Sequence, residues 1–213
     1  MAENPGSYRA QPMELKNPMK IRKICVYCGS SPGKNPAYAQ AASALAKELR
    51  TRDIGLVFGG GAVGIMGVVA DAMLEAGGEV VGVIPKALAK KEVAHYGLSE
   101  LHIVPSMHER KAMMADLADG FIALPGGWGT LEEIFEMLTW AQLGFHEKPC
   151  GLLNIEGYFD GLIGFLENSF EQQFVKDLYR PLLMTTDSPA VLLDQFSIYK
   201  APKVRKWMDE EDL

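Results

Sequence analysis

Apolar residues fall along this chain in short runs separated by longer stretches of helical spacing. The runs are IRKICVYC (21–28), IGLVF (54–58), EVVGVIP (79–85), LHIVP (101–105), GFIAL (120–124) and PCGLLN (149–154). They are too short for helices, and they lack apolar–polar alternation throughout. That pattern predicts strands buried on both faces. Between them, Ala37 to Arg52 places Ala41, Ala44, Leu45, Ala46 and Leu49 at helical spacing. Ile65–Ala76 is a second helix, stopped by Gly77-Gly78. Met107–Ala118, Gly129–Leu143, Tyr158–Phe174 and Pro189–Tyr199 complete the helical segments. Strands that alternate with helices predict one α/β domain over 21–199, with a doubly wound, mostly parallel sheet flanked by helices. Ligands of such sheets sit beyond the carboxyl ends of the strands. The loops 28–35, 59–64, 85–95, 105–110 and 125–130 are therefore the places for chemistry.

Composition narrows the classes. The 213 residues are 48% hydrophobic and 23% charged, which supports a packed core and excludes wholesale disorder. A net charge of −6 argues against nucleic-acid or anionic-membrane binding, although a local cationic site for a small anion is allowed. No run of apolar residues reaches membrane-spanning length. Residues 1–20 carry three prolines and no apolar core of a signal peptide, so they read as a flexible arm. Residues 200–213 read as a charged tail. Three cysteines are too few for a disulfide scaffold, and a reducing cytoplasm is the expected location.

Two glycine-rich turns follow strands and open helices. The first, GGGAVG, contains Gly59, Gly60, Gly61 and Gly64. It has the spacing of a dinucleotide fingerprint but lies in the second strand–helix turn. The acid that should follow, Glu79, stands at the start of the next strand and not at its end, which speaks against NAD. What remains is either close backbone approach to an anion or a tight packing turn. The second turn, PGGWGTLEE, contains Gly126, Gly127, Gly129 and Thr130 ahead of Glu132 and Glu133. Its amides and helix N-terminus suit a phosphate. It lacks the lysine of a triphosphate-binding loop. The acids could be dipole partners of the first helical turn instead. MHERK (107–111) places Arg110 and Lys111 at the same sheet edge, where cations suit phosphate or carboxylate.

Cys25 and Cys28 are spaced C-x-x-C, but positions three apart in a strand face opposite ways. Cys150 is alone, and His95, His102, His108 and His146 lack metal-ligand spacing. No metal is expected. Met113, Met114 and Met137 read as core.

Taken together, GGGAVGIMG (59–67), MHERK, PGGWGTLEE and TWAQLGFHEKP (139–149) resemble the LOG family, the cytokinin riboside 5′-monophosphate phosphoribohydrolases often labelled lysine decarboxylases. The resemblance spans about 22 to 199. Trp128 stands where the family often has Tyr. The resemblance implies a Rossmann-like fold, a homodimer, no cofactor, and hydrolysis of the N-glycosidic bond of an adenosine 5′-monophosphate, plain or N6-modified. It assigns catalysis to Arg110 and Glu133. It assigns substrate contacts to Glu92, Lys111, Gly127, Trp128, Gly129, Thr130, Leu131, Glu132 and Thr139. Two other classes stay open: a pyridoxal-phosphate decarboxylase, for which no Schiff-base lysine is marked, and a non-catalytic nucleotide carrier or sensor using the same cradle.

Overall fold

In the computed structural model, residues 20–89 and 94–203 are described. Seven strands form one sheet: β1 (Lys23–Tyr27), β2 (Gly55–Phe58), β3 (Val80–Pro85), β4 (Glu100–Val104), β5 (Gly120–Ala123), β6 (Cys150–Leu153) and β7 (Leu183–Thr186). Their order is β4-β3-β2-β1-β5-β6-β7, and every neighbouring pair is parallel. The helices are α1 (Ala37–Thr51), α2 (Gly64–Glu75), α3 (Lys86–Ala89), α4 (Met107–Leu117), α5 (Trp128–Leu143), α6 (Asp160–Glu171) and α7 (Pro189–Ser197). The doubly wound α/β architecture expected from the alternation is what forms.

Successive residues of β1 serve opposite layers. Ile24, Val26 and Cys28 pack with Leu45, Leu49 and Met73 of α1 and α2 and with Phe196 of α7. Cys25 and Tyr27 pack with Met114 of α4 and with Ile134 and Met137 of α5. Burying each such large side chain contributes about 1.5–3 kcal/mol, so both layers hold the sheet rigid under its loops. The two cysteines thus face different cores, and burial pushes both thiols up from their ordinary pKa.

Four features depart from the pattern reading, the first being the short helix α3 inside the expected loop 85–95. The strand β7 has no apolar run to mark it; it pairs with β6 at one edge, and its residues are at most half-buried. At the other edge, β4 is not buried on both faces, and Ile103 is exposed. The expected helix 158–174 begins only at Asp160. Glu156 (φ 52°) and Gly157 (φ 68°) turn left-handed before it, and the Asn154 side chain accepts from the Phe159 amide at 2.7 Å. The expected arm and tail lie almost wholly outside the described residues. Among the described residues, no helix is long and apolar enough to cross a membrane.

Candidate active site

The chain runs outward from β1 in both directions, through β2 to β4 on one side and β5 to β7 on the other. Where the direction changes, the loops after β1 and β5 part and leave a crevice at the carboxyl edge. Gly29 N donates to the Pro125 carbonyl at 3.1 Å and ties the two loops at the crevice floor. A cavity of about 260 Å³ opens there, lined by Ser30, Ser31, Tyr38, Gly126, Gly127 and Tyr158 among others. The Tyr158 hydroxyl donates to the Gly126 carbonyl at 2.6 Å, and its ring meets Tyr38 edge-on. A larger depression of about 480 Å³ lies at the amino edge, lined by Lys20, Arg22, Lys23 and Arg50. Its cations stand near the carboxyl ends of α1 and α2, the ordinary place for them, and Lys23 is paired with Glu79 at 2.8 Å. Glu79 is therefore at the wrong end of the sheet to hold a ribose beside the first glycine turn.

That first turn is shaped by protein atoms. A methyl group at Gly59 would lie 2.0 Å from Arg110 Nη2, and one at Gly64 would lie 2.3 Å from the Ser30 backbone. Gly60 and Gly64 have φ of 75° and 62°, which other residues rarely adopt. Gly61 bridges to Ala94. The first amides of α2, Ile65 and Met66, donate to the Gly29 carbonyl. Of the two readings open for GGGAVG, packing is the one these contacts favour.

The second turn divides. A methyl group at Gly126 would strike Thr130 Oγ1 at 2.1 Å, and Thr130 is buried beneath the turn. Gly127 and Gly129 have nothing within 4 Å of where a methyl group would stand, and neither has a positive φ. Packing requires glycine at neither of these two positions. The first bond of α5 is donated by Leu131 N to the Gly127 carbonyl at 3.2 Å. The amides of Trp128, Gly129 and Thr130 precede it, and the helix itself offers them no acceptor. Trp128 is 90% exposed at the same rim. Leu131 turns inward onto the core.

Arg110 and Glu133 meet behind this turn. Ser106 caps α4 by accepting from Glu109 N at 3.2 Å, which sets Arg110 in the first helical turn and facing inward. The guanidinium is buried. Nε donates to the Val83 carbonyl at 3.1 Å, Nη2 donates to the Gly59 carbonyl at 3.3 Å, and Nη1 stands 3.6 Å from Glu133 Oε1. That last gap is too long for a good hydrogen bond, and Glu133 Oε1 is buried with no hydrogen-bond partner. Burial pushes the Glu133 carboxyl up to about 7, and the Arg110 charge only partly opposes it, with Glu132 and Glu136 adding repulsion. A carboxylate poised near neutrality beside a fixed cation is equipped for acid–base or electrostatic work.

Lys111 does not join Arg110. Its Nζ lies between Glu132 and Glu136 of α5, the latter at 2.9 Å. Thr139 donates to the Phe135 carbonyl at 2.8 Å and lies roughly 16 Å along α5 from its start, at 1.5 Å per residue. The structure does not bring it to the turn of Gly127 and Gly129. Glu92 lies outside the described residues. The sequence reading missed Glu136, although its register four residues after Glu132 puts both on one helical stripe. It also missed Tyr158, which acts through a contact 32 residues away that leaves no local signal.

A family model described as "Possible lysine decarboxylase" matches residues 66–196, more than half of the chain. The chain is 46% identical over 181 residues to the cytokinin riboside 5′-monophosphate phosphoribohydrolase LOG5 of Arabidopsis thaliana, covering 85% of this chain and 79% of that protein. It is 43% identical over 204 residues to LOG1 of the same plant, which bears the same description, covering 93% and 95%. Among solved structures it resembles the molybdenum cofactor binding protein of Rippkaea orientalis, with a TM-score of 0.61 at 21% identity over 83% of this chain and 95% of that one. At that identity the likeness speaks for the fold. The family match and the identity to curated relatives over most of their length show that the chain belongs to the LOG family.

Proposed function

We propose that this protein hydrolyses the N-glycosidic bond of an adenosine 5′-monophosphate, plain or N6-modified, releasing the free base and ribose 5-phosphate. The observation that carries the reading is the buried Arg110–Glu133 pair set behind a turn whose Gly127 and Gly129 are open to a ligand. Relatives at 43–46% identity bear the name of this activity. The α5 amides receive the 5′-phosphate. Breaking the bond from C1′ to the base nitrogen leaves positive charge on the ribose ring, and the Glu133 carboxylate stabilises it and orients water. Water gives its hydroxyl to C1′ and a proton to the departing base. Arg110 stays protonated and fixes the carboxylate from one side.

The family's decarboxylase description implies pyridoxal phosphate, whose imine needs a neutral lysine amine. Lys111 does not fit. Burial works against its charge, but the hydrogen bonds it donates to Glu132 and Glu136 more than offset that and hold its pKa above the ordinary value. A carrier of intact nucleotide has no use for a carboxylate buried without a partner. The homodimer and cytoplasmic location expected from the sequence belong to the same proposal, and sedimentation tests the former.

Chromatography of the products from AMP and N6-prenyl-AMP tests the reaction, with the matching nucleosides run beside them. The nucleotides are cleaved, and the nucleosides at least ~10²-fold less efficiently, equivalent to about 2.7 kcal/mol. Equal efficiency removes the phosphate from recognition. Carbon dioxide from lysine, or nucleotide bound without turnover, overturns the hydrolase.

A further inference from the structure

Glu136 sits one turn beyond Glu133 on α5 and has no part in the mechanism above. Its side chain is 24% exposed, against 54% for Glu132, so it holds Lys111 where water screens the pair less. Lys111 itself is 11% exposed, so its ammonium depends on these two carboxylates for lost hydration. Glu136 uses only Oε1 for this. Its Oε2 is buried with no hydrogen-bond partner, the condition also found at Glu133 Oε1. A buried carboxylate oxygen without a donor has lost its hydration with nothing in return. Holding one lysine at a surface requires no such arrangement.

The charged surroundings of Glu133 define what Glu136 does there. From α4 it faces Arg110 and Lys111, and from its own helix Glu132 and Glu136. From β1 and its end it faces Tyr27, Cys25 and Cys28, which burial holds in their neutral forms. The ionic balance at Glu133 is therefore set by two cations and two neighbouring anions. Glu136 acts on it twice: directly as an anion one turn away, and through the position of Lys111.

We propose that Glu136 is a positioning residue for the hydrolysis: its Oε1 anchors Lys111 against α5, and its carboxylate stands as a second anion one turn from Glu133. The role rests on the hydrolase reading above. In Glu136→Gln the amide carbonyl and Glu132 still hold Lys111 in place, so only the charge is lost: Glu133 becomes easier to ionise, and the acid limb of kcat/KM moves to lower pH. With one carboxylate partner instead of two, the Lys111 amine titrates at lower pH.

The test is Glu136→Gln, which is isosteric and keeps a carbonyl oxygen, with Glu136→Ala beside it. Two measurements are made on each full-length variant: kcat/KM for AMP from pH 5 to 9, and acetic anhydride labelling of Lys111 across the same range, read by mass spectrometry. In Glu136→Gln the acid limb moves to lower pH, and Lys111 is labelled several-fold faster than in wild type at pH 8.5. In Glu136→Ala, which also removes the acceptor, kcat/KM at neutral pH falls roughly tenfold or more, as for a misplaced active-site group. A structural role alone predicts a lower melting temperature with an unmoved acid limb and unchanged Lys111 labelling. Either of those two unchanged results in Glu136→Gln, with normal wild-type turnover, overturns the role of Glu136 alone. A wild-type protein that releases no base overturns the hydrolase reading and this role with it.

Discussion

The turns 59–64 and 125–130 share one grammar: a buried strand, a run of glycines, then a helix, at the same edge of the same sheet. They are employed in opposite ways. In the first, Gly59 makes room for Arg110, Gly64 makes room for Ser30, and the leading amides of α2 are taken by the Gly29 carbonyl. In the second, Gly126 alone is packed, while Gly127 and Gly129 face open space ahead of the free amides of α5. The first turn is an internal seat for the cation; the second is open beyond its glycines. A glycine motif therefore reports that backbone must come close to something, and only the tertiary neighbours say whether that is protein or substrate.

The largest effects fall where the two turns meet, at Arg110 and Glu133. Arg110→Ala lowers kcat by about 10²–10³-fold, the usual range for a lost electrostatic group. Arg110→Lys does not restore it, because one ammonium cannot serve the Val83 and Gly59 carbonyls and Glu133 at once. Full rescue by Lys would reduce the seat to a point charge. Glu133→Gln lowers kcat by about 10²-fold or more while stabilising the fold. The folded-state pKa of Glu133 is raised, so the wild type loses stability as pH rises through about 7. The Gln variant lacks that loss. Its advantage is small at pH 5 and grows to about 3 kcal/mol by pH 8, as urea denaturation at both values measures. If catalysis uses the carboxylate, wild-type kcat/KM also falls below about pH 7, and an acid limb near 4.5 would contradict a buried, unpartnered Glu133.

Next in size are the packed glycines. Gly64→Ala places a methyl group against the Ser30 backbone at positive φ and destabilises the fold by about 2–3 kcal/mol. Gly59→Ala meets a side chain instead, so Arg110 moves and activity falls further than stability does. Comparing melting temperature with kcat for the two variants separates these outcomes. If Gly64→Ala folds normally but no longer binds nucleotide, the first turn also touches substrate.

Much of this was legible in the chain. Five of the seven strands announce themselves because burial on both faces demands short apolar runs, β4 carries such a run although Ile103 is exposed, and the glycine turns mark the carboxyl edge. The strand β7 escaped because an edge strand in LMTT needs no such run. Arg110 and Glu133 came from the resemblance, and their spacing alone did not separate them from surface charge or dipole partners. That Lys111 leaves Arg110 for Glu132 and Glu136 depends on how α4 packs beside α5, which no local pattern records. For the same reason, Gly59 and Gly127 look alike in sequence and differ only in their neighbours.

The smallest expected effects are the sharpest test of that difference. Gly127→Ala and Gly129→Ala add a methyl group to open space, and neither position has a positive φ. An added Cβ restricts the unfolded chain, so Gly129→Ala, inside α5, is as stable as wild type or gains up to about 1 kcal/mol, and Gly127→Ala meets no steric clash. The same methyl group stands where a phosphate would approach the α5 amides. KM for AMP therefore rises by roughly tenfold, equivalent to about 1.4 kcal/mol, while kcat/KM for adenosine, which has no phosphate, stays unchanged. Gly126→Ala is the internal control within the same turn, because it collides with Thr130 and loses stability first. A Gly127 or Gly129 variant that loses stability but binds AMP normally would place the second turn in the same class as the first and leave the phosphate without a seat.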